Sequence, residues 1–139
     1  MSQITKNILM IKPSSFGFNN DTSGDNYFQK QINHLSQSEI RLKAVEEFEN
    51  MCSILKKNGI NIIVFENDEN KKLTDDVFPN NWISFHGNKY VIHSMYAKSR
   101  RREKNKSFIN TLSTHNFNYT LLNDYTNYEL EDIFLEGTG

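Results

Sequence analysis

The chain has one cysteine, Cys52, and two prolines among its 139 residues. A single thiol excludes an internal disulfide framework and a cysteine-built metal cluster. No apolar stretch approaches the ~20 residues that a membrane helix requires. The run Ile8 to Ile11 is too short for the apolar core of a secretory signal, with polar residues on both sides. The protein is therefore expected to be cytoplasmic and to meet no membrane. Charge of one sign is lacking too: the formal net charge is −1, which calls for no polyanionic partner. The basic run Lys98 to Lys106 includes Glu103 and has no aromatics interleaved with its arginines, unlike a base-stacking surface. Nucleic acid is not an expected partner.

What remains is a polar chain of one-domain size, 16.3 kDa with 37% hydrophobic and 24% charged residues, long enough to bury a core. Ile8 to Ile11 reads as a buried strand stopped by Lys12-Pro13. From Ser14 to about Leu35 the chain is polar and long for a structureless loop, but Phe16, Phe18, Tyr27 and Phe28 give it anchors. It is a lid candidate. Ser36 or Ser38 caps a helix with Ile40, Ala44, Phe48, Met51, Cys52 and Leu55 on its apolar stripe, and Gly59 stops it. Cys52 on that stripe reads as a packed cysteine, not a nucleophile.

Ile60 to Phe65 is a second strand. Trp82 to Phe85 and Tyr90 to His93 flank the turn pair Gly87-Asn88. A second helix is expected over Arg101 to Leu112, then strands at Tyr119 to Leu122 and Ile133 to Leu135. The two halves share a layout, which predicts a repeated mixed α/β unit and not a single doubly wound sheet.

Two segments concentrate the chemistry. Asn80-Asn81 lies between Phe78-Pro79 and Trp82, and Glu136 lies between Ile133-Phe134-Leu135 and Gly137-Thr138-Gly139. Polar groups held among apolar neighbours need partners or they cost stability. The amides either orient a small ligand or cap a turn after Pro79. Glu136 either projects into a site that Gly137 and Gly139 leave open or is a solvated charge near the chain end. His34, His86, His93 and His115 show no ligand spacing and no nearby thiol or hydroxyl partner, so they read as core-edge or surface histidines, and no metal is expected.

Lys12-Pro13-Ser14-Ser15-Phe16-Gly17-Phe18-Asn19, Asn26-Tyr27-Phe28-Gln29, Asp76-Val77-Phe78-Pro79-Asn80-Asn81-Trp82, Met95-Tyr96-Ala97 with Arg100, Arg101 and Glu103, and Leu135-Glu136-Gly137-Thr138-Gly139 occur in that order. Together they resemble the amidinotransferase-related, citrulline-hydrolase-like branch of the guanidino-group-modifying (pentein) superfamily. The resemblance implies an α/β fold, a five-bladed propeller of ββαβ units of which residues 1–139 would form the first two to three, incomplete blades. It implies covalent attack by a cysteine on the central carbon of a guanidino or ureido group, a histidine as acid and base, and no cofactor. Both of those residues follow the Glu-Gly segment in the family, so this chain is expected to lack them, to be inactive alone and to await a C-terminal half.

On the matched positions, Glu136 would be the catalytic-site acid holding substrate nitrogens. Asn80, Asn81 and Asp76 would bind substrate, and Arg100 and Arg101 would take the α-carboxylate of a citrulline- or arginine-like amino acid. Relatives acting on a guanidinium tend to carry an acid at the position of Asn81, so the amide favours a neutral ureido group. Asp76 is otherwise a loop charge, and Arg100 to Lys104 otherwise a solvated helix start. Transfer of an amidino group to an amine, or a non-catalytic fragment that binds an amino acid or a separately encoded half, stay open as alternatives.

Overall fold

The computed structural model describes residues 5–19, 21, 35–105 and 107–137, apart from the side chain of Glu69. Most of the expected lid, including Tyr27 and Phe28, lies outside the described residues, as does His34.

Strand β1 (Asn7–Ile11) runs parallel to β2 (Asn61–Phe65), with Ile11 opposite Phe65. Helix α1 (Gln37–Lys57) makes the crossover between them, as parallel neighbours demand. The helix begins where Ser36 Oγ accepts from Glu39 N and the Glu39 carboxylate accepts from Ser36 N, a reciprocal capping box. It ends at Asn58, and Gly59 follows at φ +78°, a conformation that costs a residue with a Cβ. Its buried seam is narrower than the sequence predicts. Phe48 and Cys52 pack on Ile62, whereas Met51 is 44% exposed and points away.

The second half is a three-stranded sheet in the order β3-β4-β5. β3 (Ile83–His86) and β4 (Lys89–Ile92) form the hairpin, with Gly87 at φ +64° in its turn. Helix α2 (Ser107–Thr114) then crosses to β5 (Thr120–Asp124), which runs parallel to β4. Strand β1, helix α1 and strand β2 thus make a βαβ unit, and β3, β4, α2 and β5 a ββαβ unit, so the fold is a mixed α/β domain with two separate sheets among the described residues.

Two expectations are corrected. The second helix starts at Ser107, not Arg101, because Asn105 Oδ1 accepts from Ser107 N and so caps a new helix. Arg100–Glu103 is a separate 3₁₀ turn. Ile133–Leu135 forms no strand; its N–H groups bond singly to Tyr128 O and to Ser94 instead of to a ladder.

One core joins the halves. Phe108 of α2, 1% exposed, meets Phe65 of β2 edge-on at 5.4 Å and Trp82 at 5.1 Å. Ile11, Ile63, Ile83, Met95 and Leu112 complete the cluster. Fixing Trp82 against Phe108 also fixes the residues before it, Pro79–Asn81.

Candidate functional site

Pro79–Asn81 is a 3₁₀ turn with proline at its first position, where the missing N–H costs nothing. The turn presents Asn81 to two other segments. Arg100 Nη1 donates to Asn81 Oδ1 at 2.9 Å, and Asn81 Nδ2 donates to Gly137 O at 2.9 Å. A guanidinium only donates and a carbonyl only accepts, so the amide orientation is dictated by its partners. Gly137 N also donates to Asn81 O at 2.8 Å. Asn81 and the tail are therefore clamped at two points across 56 residues of sequence. The approach is close enough that a Cβ on Gly137 would lie 2.1 Å from Asn80 O. The side chain of Asn80 is exposed.

The tail is held along its length. Leu135 N donates to Ser94 Oγ at 2.9 Å, Tyr96 N donates to Glu136 Oε1 at 2.9 Å, and the Phe134 ring packs edge-on against Tyr96 at 5.2 Å. Glu136 is thus a fixed carboxylate, not a frayed charge. Arg101 lies beneath, its guanidinium 5.4 Å over Phe134, with Nε, Nη1 and Nη2 donating to the carbonyls of Met95, Glu129 and Tyr96. Glu129 accepts from Met95 N and is paired with Lys104 Nζ.

Arg100 is buried, which corrects its reading as part of a solvated helix start. Its Nε donates to both Glu103 oxygens at 3.0 and 3.2 Å, and its Nη2 to Glu103 Oε2 at 2.9 Å and to the carbonyls of Asp75 and Phe78. Asp75 Oδ2 lies 4.0 Å from Nε and accepts from Asn19 Nδ2 at 2.6 Å. Asp76, 1% exposed, is no solvated loop charge: its Oδ2 accepts from Asn67 Nδ2 at 3.1 Å, and its Oδ1 meets no partner among the described residues. Asn105 Nδ2 donates to Asn67 Oδ1 at 3.0 Å. Burial pushes Asp76 up to about 6, against the Asn67 hydrogen bond. Burial likewise pushes Glu103 up to about 7, against the pull of Arg100 and helped by Asp75 and Asp76.

The sequence missed three members of this arrangement. Asn19 and Glu103 stood inside quoted motifs but carried no assigned role; an asparagine after an aromatic loop and a Glu three residues after an Arg were the available signals. His93 is the third. Ser84 Oγ lies 2.9 Å from His93 Nε2 and 2.9 Å from His86 Nε2, so both histidines do have a hydroxyl partner. Burial, then the nearby His86, holds His93 below the usual imidazole range, and its ring edge lies 3.5 Å from where a Gly137 Cβ would stand. Cys52 is buried in a separate cluster with Phe48 and Ile62, and burial raises its thiol, the opposite of what a nucleophile requires.

A cleft of about 250 Å³ is lined by Trp82, Arg101, Lys104 and Asp124 among others, but by neither Asn81 nor Glu136. Among the described residues, no group of three or more His, Cys, Asp or Glu is placed to hold a metal ion, and no helix is long and apolar enough to cross a membrane.

The model of the family N,N dimethylarginine dimethylhydrolase, eukaryotic, matches residues 12–139. Among curated proteins no sequence matches this one. Two solved structures of AgrE are similar in fold, one unliganded and one a cysteine-to-alanine mutant in binary complex with L-arginine. Each gives a TM-score of 0.57 at 20% identity over 96% of this chain. The chain spans 17% of the length of those proteins.

Proposed function

The chain belongs to the N,N dimethylarginine dimethylhydrolase family, and on that premise we propose that it is the substrate-holding N-terminal part of a hydrolase acting on the guanidino or ureido group of an amino acid. The family is of guanidino-modifying, hydrolase type. The observation that carries the proposal is the two-point clamp between Asn81 and Gly137, which sets a fixed amide beside a fixed carboxylate, Glu136.

With Oδ1 bound once by Arg100 and Nδ2 once by Gly137 O, Asn81 has one acceptor lone pair and one N–H to offer. A ureido group presents one acceptor oxygen beside its N–H donors and can meet both. A guanidinium has no acceptor, and an uncharged amide stabilises it less than a carboxylate would. In this reading Glu136 Oε2 takes substrate N–H, and Arg101, with three of its five donors bound to carbonyls, offers the other two to an α-carboxylate. An AgrE mutant binds L-arginine, which supports an amino-acid substrate of this general shape.

The chemistry is covalent. In this reading a cysteine other than Cys52 adds to the central carbon, one C–N bond breaks and its nitrogen leaves as ammonia or an amine on taking a proton from a histidine, and water then adds to the carbon and displaces the thiolate. Cys52 is excluded from that role by its burial away from Asn81. The βαβ and ββαβ units would be successive blades of a five-bladed propeller, with the exposed apolar residues Leu121, Leu122, Leu130 and Leu135 covered by further blades.

The test is calorimetric binding of L-citrulline and L-arginine to the protein and to its Asn81→Asp variant. The wild type should prefer citrulline, and the variant should shift toward arginine by at least tenfold. A wild-type preference for arginine that the substitution leaves unchanged would overturn the polarity argument.

A further inference from the structure

We propose that Glu103 is a positioning residue that, through Arg100, sets the orientation in which the Asn81 amide meets the substrate. The inference rests on the functional reading above only in bringing a substrate to that amide; the coupling itself is a property of the fold.

The chain of contacts is short and directional. Both Glu103 oxygens bind Nε, and Oε2 also binds Nη2, so the plane of the guanidinium is fixed from one edge. Nη1, on the opposite corner of that plane, then reaches Asn81 Oδ1 at 2.9 Å. A donor held there fixes Oδ1 toward Arg100 and Nδ2 toward Gly137 O, so the lone pair and the N–H left for a ligand each keep one side. Were the guanidinium free to swivel, the amide could turn over and exchange the two sides. The Gly137 carbonyl would then face an oxygen and lose its hydrogen bond. An inverted amide inverts the polarity that the substrate meets.

The fork is needed for this, because a single ammonium cannot span Glu103, Asn81 and the two carbonyls of Asp75 and Phe78 in one plane. The charged groups facing Glu103 are Arg100 on its own turn and Asp75 and Asp76 from the segment before Pro79. Asn67 and Asn105 add uncharged polarity on the Asp76 side. Three acids therefore surround one buried guanidinium, and they compete electrostatically for its charge. Asp75 touches Nε only at 4.0 Å, so Glu103 is the acid that fixes the plane. Protonating Glu103 removes the negative charge that holds the fork and so loosens the plane on which the amide depends.

The experiment follows the protein by NMR, with the Asn81 side-chain NH₂, the Arg100 Nε–H and the ¹³C-labelled Glu103 carboxyl read across pH 5 to 9. All three should move with a common midpoint. In Glu103→Gln the Arg100 Nε–H should exchange at least tenfold faster and the Asn81 NH₂ should shift, with Glu103→Asp restoring part of both. An Asn81 NH₂ that stays fixed while Glu103 titrates overturns the proposal, and this wild-type measurement stands even if the variants fold poorly. In parallel, L-citrulline binding should weaken at least tenfold in Glu103→Gln and recover partly in Glu103→Asp. Failure of the wild type to bind either L-citrulline or L-arginine would count against the functional reading while leaving the NMR coupling intact. Binding that is lost without any change at Asn81 would refute the positioning role.

Discussion

Arg100 Nη1 donates to Asn81 Oδ1 at 2.9 Å, joining a buried cation to the amide that the tail also grips. Arg100→Lys keeps the charge but loses the planar fork, leaving carbonyls of Asp75 and Phe78 and one or more Glu103 oxygens short of donors. Removing part of a buried, hydrogen-bonded pair costs about 3–5 kcal/mol when nothing compensates. The retained ammonium compensates in part, so a loss of about 2–3 kcal/mol is expected in urea denaturation. A midpoint within experimental error of wild type would mean that the fork is not what holds these segments.

Asp76→Asn should make the protein more stable, and only at higher pH. The folded state holds the Asp76 proton up to about 6, whereas the unfolded chain releases it near 4. The folded state therefore binds more protons between these values, so the stability this carboxyl lends is fully present below about pH 4 and is lost as pH rises through about 6. Asparagine cannot ionise. Its advantage over wild type should be near zero at pH 4 and about 1–3 kcal/mol at pH 8. Parallel stability curves for the two proteins across that range would refute the assignment.

The fold was legible wherever a local pattern decided it. The Ser36 to Gly59 helix is written in its cap, stripe and stop signal, and the β3–β4 hairpin in Gly87-Asn88. The second helix was misplaced because Arg100 is turned inward to Asn81, Asp75 and Phe78, contacts distant in sequence that periodicity does not record, and because the local Asn105 cap went unread. The tail at Ile133–Leu135 has the composition of a strand, yet it is held by Ser94 and by the reach of Glu136 to Tyr96 N. For the site, Asn81 and Glu136 were picked out by motif. That their segments touch depends on Gly137 reaching Asn81 across 56 residues, which only the fold supplies. Asn19 and Glu103 went unassigned because each acts through a neighbour, and a sequence displays residues but not the bonds between them.

Phe108→Ala should destabilise both halves together. The ring is 1% exposed and sits between Phe65 of the first sheet and Trp82 at the start of the second. Truncating a buried Phe costs about 3–5 kcal/mol in lost transfer energy and cavity. Since Trp82 follows the Pro79–Asn81 turn, thermal unfolding followed at Trp82 fluorescence and by circular dichroism should shift by the same amount. Separate transitions for the two signals would show that the halves do not share a core.

Gly137→Ala should separate site geometry from global stability. A methyl there meets Asn80 O at 2.1 Å, a backbone atom that cannot turn aside, so the tail must lift. The bonds lost are Gly137 N to Asn81 O and Asn81 Nδ2 to Gly137 O. Each is worth about 0.5–1.5 kcal/mol, a small effect on the whole fold because Phe108, Trp82 and Ile63 are untouched. The site is affected more, since Asn81 keeps only Arg100 as an anchor and Glu136 loses its fixed place beside it. Hydrogen exchange should show faster exchange at position 137 itself, at Tyr96 and at Leu135, with core amides of β2 and β4 unchanged. L-citrulline affinity should fall at least tenfold in the same variant. Retained affinity with a released tail would show that Asn81 binds without the clamp, and the proposal that the tail helps to build the site would fail.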